Sequence, residues 1–389
     1  MNILAIESSC DETAAAVVKD GVEILGSAVA TSTKMHEKWG GIVPEVAARE
    51  QLSSMLPVIT EALQSFISCH SESIEESQPN QEKLDSRLRG NDIKKIIEQH
   101  IDAIAVTIGP GLIGSLLVGV ETSRTLAYIT KKPLIPVNHV LAHMYANFLK
   151  SSQPSALSHQ TIHLKAEDRK LIAFPAISLV VSGGHTELFL MKNEKDLQWL
   201  GGTIDDAAGE AFDKSARLLG FGHGGGVAIQ ESAKSYTPGT KNKELRTSLP
   251  RPMMHDDTYN FSFSGLKTAI LREVEKHKKQ NTLDEETIHY LSFEVQEAIT
   301  DVLVKKTLNA AHNKGATSIL ISGGVAANIR LREKMKEAIS RQPSAIRFFA
   351  PEVQYCTDNA GYIGSYAFFR GEPVDWHTIT AIPDLSVEV

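Results

Sequence analysis

The sequence predicts an α/β protein of two lobes built on one plan, and three observations support this. The first is size, because 389 residues with 42% hydrophobic content can form two domains, each with its own core. The second is a repeated layout: residues 3–18 and 176–191 each contain an apolar strand, a turn of small residues and a second β-prone run. The third is a strand, a glycine turn and a helix that follow in each half, at residues 104–111 and 318–324.

The repeat also predicts where the lobes begin and end. We expect an N-terminal lobe over residues 1–150 and a C-terminal lobe over residues 171–389, with a helical insert near residues 205–300. The C-terminal helix can pack back on the N-terminal lobe. Residues 69–92 and 151–170 are polar and lack periodicity, so we interpret them as surface insertions that the chemistry does not need.

The charge pattern bears on nucleic-acid binding. A net charge of −7 gives no overall attraction for phosphate backbones, so a nucleic-acid partner needs a local basic patch. Residues 234–251 offer such a stretch, with one acid, Glu244, and these basic residues: Lys234, Lys241, Lys243, Arg246 and Arg251. The alternative interpretation is a solvated loop.

The cysteines and the N-terminus bear on the compartment. Cys10, Cys69 and Cys356 are too few and too widely spaced for a disulfide framework, which indicates a reducing environment. The N-terminus enters an apolar strand without a basic leader, and no apolar run reaches the ~20 residues of a membrane span. We therefore expect a cytoplasmic protein without a membrane segment.

Three turns of small residues follow predicted strands, at residues 8–13, 182–186 and 322–324. Such turns allow backbone N–H groups to approach a phosphate, although each alone can be an ordinary glycine turn. Their recurrence in a two-lobed α/β frame favours a nucleotide bound between the lobes. The sequence contains no GxxxxGK[ST], and the fingerprint of GxGxxG with a ribose carboxylate downstream is absent too, so we expect neither a P-loop nor a dinucleotide-binding site.

Two histidines and one aspartate are candidate metal ligands. His139 and His143 are four residues apart, so on a helix both imidazoles project from one face. Packed structural histidines are the alternative. A metalloprotease motif would have Glu after the first histidine, where this chain has Val140. Asp358 can join the histidines only through the fold, and its alternative role is a helix N-cap.

An acidic run at residues 205–214 has Asp206, Glu210 and Asp213 at helical spacing, so the three can share one face. Apolar residues lie between these acids, which favours a helix packed at a site. A solvated surface is the alternative.

Nine sequence blocks together resemble one known family: IESSCDETAAAV, GGIVPEVAAREQ, GPGLIGSLLVG, NHVLAHMYA, LVVSGGHTEL, DDAAGEAFDKSARLLG, FSFSGLKTA, SGGVAANIRLR and CTDNAGYIG. They are similar to the bacterial-type tRNA N6-adenosine threonylcarbamoyltransferases, formerly described as O-sialoglycoprotein endopeptidases. The blocks cover nearly all of the chain outside the two insertions. The resemblance implies a two-lobed actin-like fold, as in Hsp70 chaperones and sugar kinases, with a nucleotide cleft between the lobes.

The resemblance also implies site residues. The family's metal ligands correspond to His139, His143 and Asp358, which implies one divalent ion per subunit, iron in preference to zinc. The family's proline-glycine-glycine-proline run is Gly224-Gly225-Gly226-Val227 in this chain, so the loop lacks both prolines. The implied substrate-binding positions are Val180, Val181, Ser182, Gly183, Gly184, Asp213, Gly226 and Asn328.

The activity implied by the resemblance is an acyl transfer. The threonylcarbamoyl group of threonylcarbamoyl-AMP passes to N6 of adenosine-37, in the anticodon loop of tRNAs that read codons beginning with adenine, and AMP is released. Asp11 and Glu12, in the first turn, are the candidate general bases, Asp11 before Glu12. The implied protein partners are a catalytically inactive paralogue and a small P-loop ATPase.

Two other functions remain open from the sequence. One is a metal-dependent peptidase or glycoprotease, which the absence of HExxH opposes. The other is a non-catalytic actin-like nucleotide-binding module, which has no need of three metal ligands.

Overall fold

The computed structural model describes residues 1–36, 41–74, 90–150, 172–222, 224–237, 248–342 and 345–388. Its contacts divide the chain into two compact units. Unit 1 comprises Met1–Leu171 and Thr357–Val387, and unit 2 comprises Ile172–Cys356 and Glu388–Val389. Residues 357–387 belong to unit 1 and not to the second lobe as expected over residues 171–389, which is the return of the C-terminal helix that the sequence allowed.

Unit 1 contains a five-stranded sheet in the order β3-β2-β1-β4-β5. Strand β2 is antiparallel to both of its neighbours, β1 and β3, whereas β4 and β5 run parallel to β1. The strands are β1 (Asn2–Glu7), β2 (Glu12–Lys19), β3 (Glu23–Thr31), β4 (Ala103–Gly109) and β5 (Leu134–Asn138). The helices are α1 (Thr33–His36), α2 (Pro44–Ile74), α3 (Gly90–His100), α4 (Ile113–Thr130) and α5 (His139–His143), followed by a 3₁₀ turn at Met144–Phe148.

Unit 2 contains a second five-stranded sheet in the order β10-β9-β6-β7-β8. Its strands are β6 (Ala176–Val181), β7 (Thr186–Met191), β8 (Leu197–Gly202), β9 (Ser318–Ser322) and β10 (Arg347–Phe349). Its helices are α6 (Ala208–Leu218), α7 (Gly225–Lys234), α8 (Ser264–Lys279), α9 (Glu285–Asn313) and α10 (Ile329–Ser340), with 3₁₀ turns at Gly324–Ala327 and Val353–Tyr355. The next helix, α11 (Ala360–Phe369), belongs to unit 1.

The two sheets have the same topology. In each, the first three strands form an antiparallel meander, and the two later strands add in parallel beside the first. The predicted duplication of one α/β plan is confirmed by this shared strand order.

Helices cover both faces of the unit 1 sheet, which explains why its strands are apolar without alternation. Leu4 and Ile6 of β1 lie in one core cluster with Ile59 of α2. The opposite face receives α11. A Cβ atom at Gly364 of α11 would lie within 2.6 Å of the Val18 side chain, so this close approach requires glycine.

The core of unit 2 forms between one face of its sheet and the helices. Leu179 and Val181 of β6 and Ile321 of β9 cluster with buried residues of α9, including Val295 and Ile299. The helices α6, α7 and α8 and the first half of α9 lie within residues 205–300, where the sequence predicts a helical insert.

The first predicted insertion is helical at both ends. The helix α2 continues to Ile74 and α3 begins at Gly90, so residues 69–74 and 90–92 are not loop. A polar composition does not end a helix that is already nucleated, because each added residue contributes a hydrogen bond. Residues 75–89 and the whole second insertion, 151–170, lie outside the described residues. Within the described ranges, none of the helices combines the length and apolar character needed to cross a bilayer.

Candidate metal centre and glycine-lined cavity

The helix α5 begins where β5 ends and carries both candidate histidines. The side-chain oxygen of Asn138 accepts the N–H groups of Val140 at 3.0 Å and Leu141 at 3.1 Å, so it caps the helix. His139 and His143 therefore stand one turn apart, both buried, with ring centroids 4.7 Å apart. The HxxxH spacing predicted this common face.

Asp358 joins the two histidines from the start of α11. Its Oδ1 lies 3.6 Å from Nε2 of His139 and 3.6 Å from Nε2 of His143. The helix N-cap is Asn359, whose side chain accepts the N–H of Gly361 at 2.9 Å. The alternative role of Asp358 as a helix cap is therefore wrong.

Glu7 is a buried partner of this group that the sequence interpretation missed. Its Oε2 lies 3.1 Å from Nδ1 of His139, and the carboxylate also accepts hydrogen bonds from Thr107 and from the N–H of Ser9. Burial raises the pKa of Glu7, but His139, Thr107 and Ser9 together lower it. The available signal was a carboxylate at the end of the otherwise apolar strand ILAIE.

The hydrogen bond to Glu7 determines which nitrogen of His139 can bind a ligand. When Nδ1–H donates to Glu7, the lone pair of Nε2 is directed away from that bond, on the side of Asp358. Burial lowers the pKa of His139, but the negative charges of Glu7 and Asp358 raise it to about 9. Tyr362 donates from its hydroxyl to Asp358 Oδ1 at 3.3 Å and so holds the carboxylate.

The donor set fits a divalent metal ion. One ligand atom from each of His139, His143 and Asp358 lies within 4.8 Å of the others. Two imidazoles and one carboxylate are the ligands of non-haem iron(II) sites and of catalytic zinc sites, and they leave coordination positions open. A second carboxylate that orients a ligating histidine is typical of such centres, and Glu7 is placed to orient His139 in this way.

The first turn of the chain brings two further acids to this group. Asp11 accepts a hydrogen bond from Thr33 Oγ1 at 3.0 Å. Burial raises the pKa of Glu12 to about 9, and the negative charges of Asp358 and Asp11 add to this shift. Gln51 of α2 donates to the backbone oxygens of Cys10 and Glu12, which fixes the turn.

Unit 2 contains a cavity of about 340 Å³ with many glycines in its wall, which we call the glycine-lined cavity. Four of the eight expected substrate positions line it: Gly183, Asp213, Gly226 and Asn328. The other lining residues that the structure describes are Gly209, Phe212, Gly224, Val227, Gln230, Gly324, Val325, Ala327 and Val353.

The other four expected substrate positions are absent from the described lining of the glycine-lined cavity. Val180 and Val181 are fully buried in β6. Ser182 Oγ accepts the N–H of His185 at 3.1 Å, so this hydroxyl closes its own turn. The space where Gly184 would carry a side chain is open.

The loop without the family's prolines begins α7. Gly224 has φ of +76° and stands at the N-cap, a conformation that glycine adopts without strain. A Cβ atom at Gly225 would lie 2.4 Å from Oδ1 of Asp213, so α7 approaches α6 closely at this point. Gly226 remains in the cavity wall although neither proline is present.

Comparison with known proteins identifies the family. A family model described as tRNA N6-adenosine threonylcarbamoyltransferase matches residues 23–71 and 92–365. A relative of that name from Thermomicrobium roseum is 41% identical, over 96% of this chain and 92% of its own. The chain belongs to this family. The relative from Symbiobacterium thermophilum, of the same name, is 40% identical over 100% of this chain and 97% of its own.

Solved structures with low identity share the fold of this threonylcarbamoyltransferase family member. The crystal structure of HypF from T. kodakarensis aligns with a TM-score of 0.52 at 13% identity, over 94% of this chain and 47% of that chain. The crystal structure of full-length HypF in its phosphate- and nucleotide-bound form aligns with a TM-score of 0.51 at 12% identity, over 95% of this chain and 55% of that chain. At this identity the similarity concerns the fold alone, and the predicted actin-like α/β fold is confirmed.

The acidic run of this threonylcarbamoyltransferase family member divides into two parts. Lys214 lies 2.7 Å from Asp206 and 2.8 Å from Glu210, so these two acids form ion pairs within α6 and its approach. Asp213 instead lines the glycine-lined cavity. The three acids therefore do not share one role. Asp206 and Glu210 pair with Lys214, whereas Asp213 lines the cavity.

The basic stretch is described only at its ends. Lys234 pairs with Glu231 at 2.6 Å, and Arg251 pairs with Asp301 at 3.0 Å. Lys241, Lys243 and Arg246 lie outside the described residues. The two described cations therefore bind acids of their own unit.

Proposed function

We propose that this chain transfers a threonylcarbamoyl group to N6 of an adenosine in tRNA. The observation that carries this proposal is identity of about 40% over nearly the full length to relatives named for that reaction. The target is adenosine-37, and the donor is threonylcarbamoyl-AMP, as the family resemblance implies.

The glycine-lined cavity supports an adenylate donor. Its volume of about 340 Å³ lies at the lower end of the range for small-molecule sites. Asp213 supplies a carboxylate that can accept hydrogen bonds from ribose hydroxyls, and Gly226 and Gly324 leave room for a flat ring. The donor is already an activated anhydride, so the protein needs to position it and to stabilise the charge that develops during transfer.

The metal centre supports electrostatic assistance. His139, His143 and Asp358 would hold one divalent ion, iron in preference to zinc, and the bound ion would supply a Lewis acid for an oxygen of the donor. Glu7 keeps the proton of His139 on Nδ1, and Tyr362 orients Asp358. These two contacts preorganise the three ligands before a substrate arrives.

The acceptor amine is a weak nucleophile because its lone pair is delocalised into the adenine ring, so a base that removes its proton assists the attack. We assign this role to Asp11 before Glu12. Thr33 donates to Asp11 and so fixes its carboxylate, and the turn that carries both acids is held by Gln51.

The proposed partners follow from the substrate and from one surface. A tRNA substrate is consistent with a cytoplasmic location. Unit 1 exposes Leu52 and Leu56 of α2 and Ile113 and Leu117 of α4, one turn apart on each helix, and 43–72% of each side chain is accessible. We propose this apolar surface as the docking site of the inactive paralogue. A small P-loop ATPase is the further partner.

A peptidase activity is the second candidate, and the site does not favour it. The HExxH motif of metalloproteases has a general-base glutamate directly after the first histidine. The fully buried Val140 stands there instead.

The test is a reconstitution. The protein and its partners are incubated with threonylcarbamoyl-AMP and unmodified tRNA, and the nucleosides are analysed by mass spectrometry. We expect threonylcarbamoyladenosine at position 37, and none in a matched tRNA with guanosine there. Unmodified tRNA together with cleavage of a glycoprotein would instead establish the peptidase.

A further inference from the structure

Two side-chain amides close the N-terminal end of α10. Asn328 is the N-cap, and its Oδ1 accepts the N–H of Leu331 at 2.9 Å. Gln230 of α7 reaches the same turn, where its Oε1 accepts the N–H of Ile329 at 2.8 Å. Both amides also line the glycine-lined cavity. Two of the N–H groups that a helix end would offer to a phosphate are therefore already bonded.

This capping changes what the cavity wall offers to a ligand. An amide has one oxygen and one NH₂ group, and the oxygens of Asn328 and Gln230 are both bonded to α10. At these two side chains, the N–H donors of the NH₂ groups and the second lone pair of each oxygen remain. This end of the cavity thus favours a neutral acceptor atom over a phosphate that requires helix N–H groups.

Gln296 of α9 holds the Asn328 amide in this orientation. Asn328 Nδ2 donates to Gln296 Oε1 at 3.1 Å, and both side chains are buried, with 8% and 5% exposure. If the Asn328 amide rotated by half a turn, its NH₂ group would face the N–H of Leu331 and its oxygen would face the Gln296 oxygen. Both contacts would be repulsive, so the cap and Gln296 specify the same orientation.

The frame around Gln296 is rigid. The next residue, Glu297, lies 2.7 Å from Arg330 and 2.8 Å from Lys334 of α10, and all three side chains are at least partly buried. These pairs join α9 to α10 directly after the Gln296–Asn328 contact in each helix. The amide orientation is therefore determined before a ligand binds.

We propose that Gln296 is a positioning residue of the glycine-lined cavity. By holding the Asn328 amide, it makes position 328 present an N–H donor, and this donor selects one acceptor atom of the bound nucleoside, either a ring nitrogen or a ribose oxygen. The inference rests on the proposed nucleotide role of the cavity. Gln296 acts through Asn328 and does not itself touch the ligand.

The experiment measures binding of adenosine and AMP to the full-length protein by calorimetry. The variant Gln296→Met keeps the side-chain length and removes the acceptor, whereas Gln296→Glu keeps an acceptor. Asn328→Asp keeps the helix cap and removes both amide hydrogens. Thr307→Val, a buried substitution in the same helix α9, is the matched control, because the Thr307 hydroxyl donates within its own helix, to Leu303 O.

We expect Gln296→Met and Asn328→Asp to weaken adenosine binding by about three- to tenfold, the effect of one hydrogen bond. Gln296→Glu and Thr307→Val should bind as the wild type does. Uncharged adenosine separates the loss of the donor in Asn328→Asp from repulsion of the phosphate by the new carboxylate.

A set of adenosine analogues distinguishes loss of the oriented Asn328 donor from a general destabilisation of the cavity. Adenosine is compared with its 1-, 3- and 7-deaza and its 2′- and 3′-deoxy forms, each of which lacks one acceptor. In the wild type one analogue should bind about three- to tenfold more weakly than adenosine, and in Gln296→Met this difference should shrink.

The outcomes are separable. If wild-type protein binds neither adenosine nor AMP, the proposed function of the cavity fails. If the wild type binds adenosine and Gln296→Met binds it equally well, the positioning role is wrong while the nucleotide site stands. The same conclusion follows if Gln296→Met loses affinity for adenosine and every analogue by the same factor and has a lower melting temperature.

Discussion

Nδ1 of His139 lies 3.1 Å from Oε2 of Glu7, a fully buried carboxylate at the end of β1. The contact joins the first strand of unit 1 to the helix that carries both candidate metal-ligating histidines. It holds a proton on Nδ1 of His139, so Nε2 is the nitrogen that can bind a metal ion once it has lost its own proton.

Substitution Glu7→Gln should therefore weaken metal binding without removing a ligand. We expect a 10- to 100-fold loss of affinity, because the amide cannot orient and polarise His139 as a carboxylate does. Titration of the metal-free protein with iron(II) or zinc measures this. The matched control is Glu187→Gln, which makes the same change at a buried strand carboxylate of unit 2. Equal affinity for both variants would contradict the role of Glu7.

Asp358→Asn tests the third ligand. The anionic oxygen is lost while the shape is kept, so metal content and transfer rate should both fall at least tenfold. The melting temperature of the metal-free protein should stay the same or rise slightly, because burial and the neighbouring acids raise the pKa of Asp358 and its charge is costly.

The neighbouring residue, Asn359, provides a control in which stability should change and metal content should not. Asn359→Ala removes the helix cap and should cost about 1 kcal/mol of stability, while metal content remains that of the wild type. Loss of metal in Asn359→Ala together with retention in Asp358→Asn would reverse the assignment.

Glu187 predicts a pH-dependent stability. Burial raises its pKa to about 7; the hydrogen bond from Trp199 opposes this shift and Glu388 adds to it. The folded state thus binds a proton that the unfolded state has released between about pH 4.5 and 7, so this group's contribution to stability decreases as pH rises through that window. Glu187→Gln should raise the free energy of unfolding by about 1–3 kcal/mol at pH 8 and leave it nearly unchanged at pH 5. Urea denaturation at both pH values checks this, and an equal difference at both would contradict it.

The first insertion should be dispensable. Residues 75–89 lie between α2 and α3, and the family match omits residues 72–91. Replacing residues 75–89 with a short Gly/Ser linker should leave the circular dichroism spectrum and the transfer rate unchanged. Deletion of α3, which buries Ile96 and Ile97, is the control and should destabilise the protein. A folded but inactive linker variant would show that the insertion has a function.

Reversal of three charges tests the tRNA surface. A triple variant should bind tRNA more weakly and with a shallower salt dependence, while its nucleotide affinity is unchanged. This variant replaces Lys241, Lys243 and Arg246 with Glu. The control reverses Lys276, Lys278 and Lys279 at the end of α8, an equal change of charge. Filter binding at several salt concentrations compares the two. A change in slope only for the α8 variant would move the RNA surface to that helix.

The sequence by itself determined the class of the fold and the histidine pair of the candidate metal centre. Strands and helices impose local periodicities, so a repeated strand, turn and helix can be recognised without long-range information. The same argument put His139 and His143 on one helix face. The prediction of a surface loop was wrong for residues 69–74 and 90–92, because a polar composition is equally compatible with the solvated end of a helix.

Only the tertiary structure decided which distant residues meet. Glu7 and His139 are 132 residues apart, and Asn328 and Gln296 are 32 apart on different helices. Whether Asp358 caps α11 depended on which of two adjacent side chains faces the helix, and the structure assigns the cap to Asn359. Contacts of this kind result from the packing of whole elements, and the orientation of an amide depends on the partners at both of its ends. Neither the packing of the elements nor the orientation of an amide can be read from the spacing of residues along the chain.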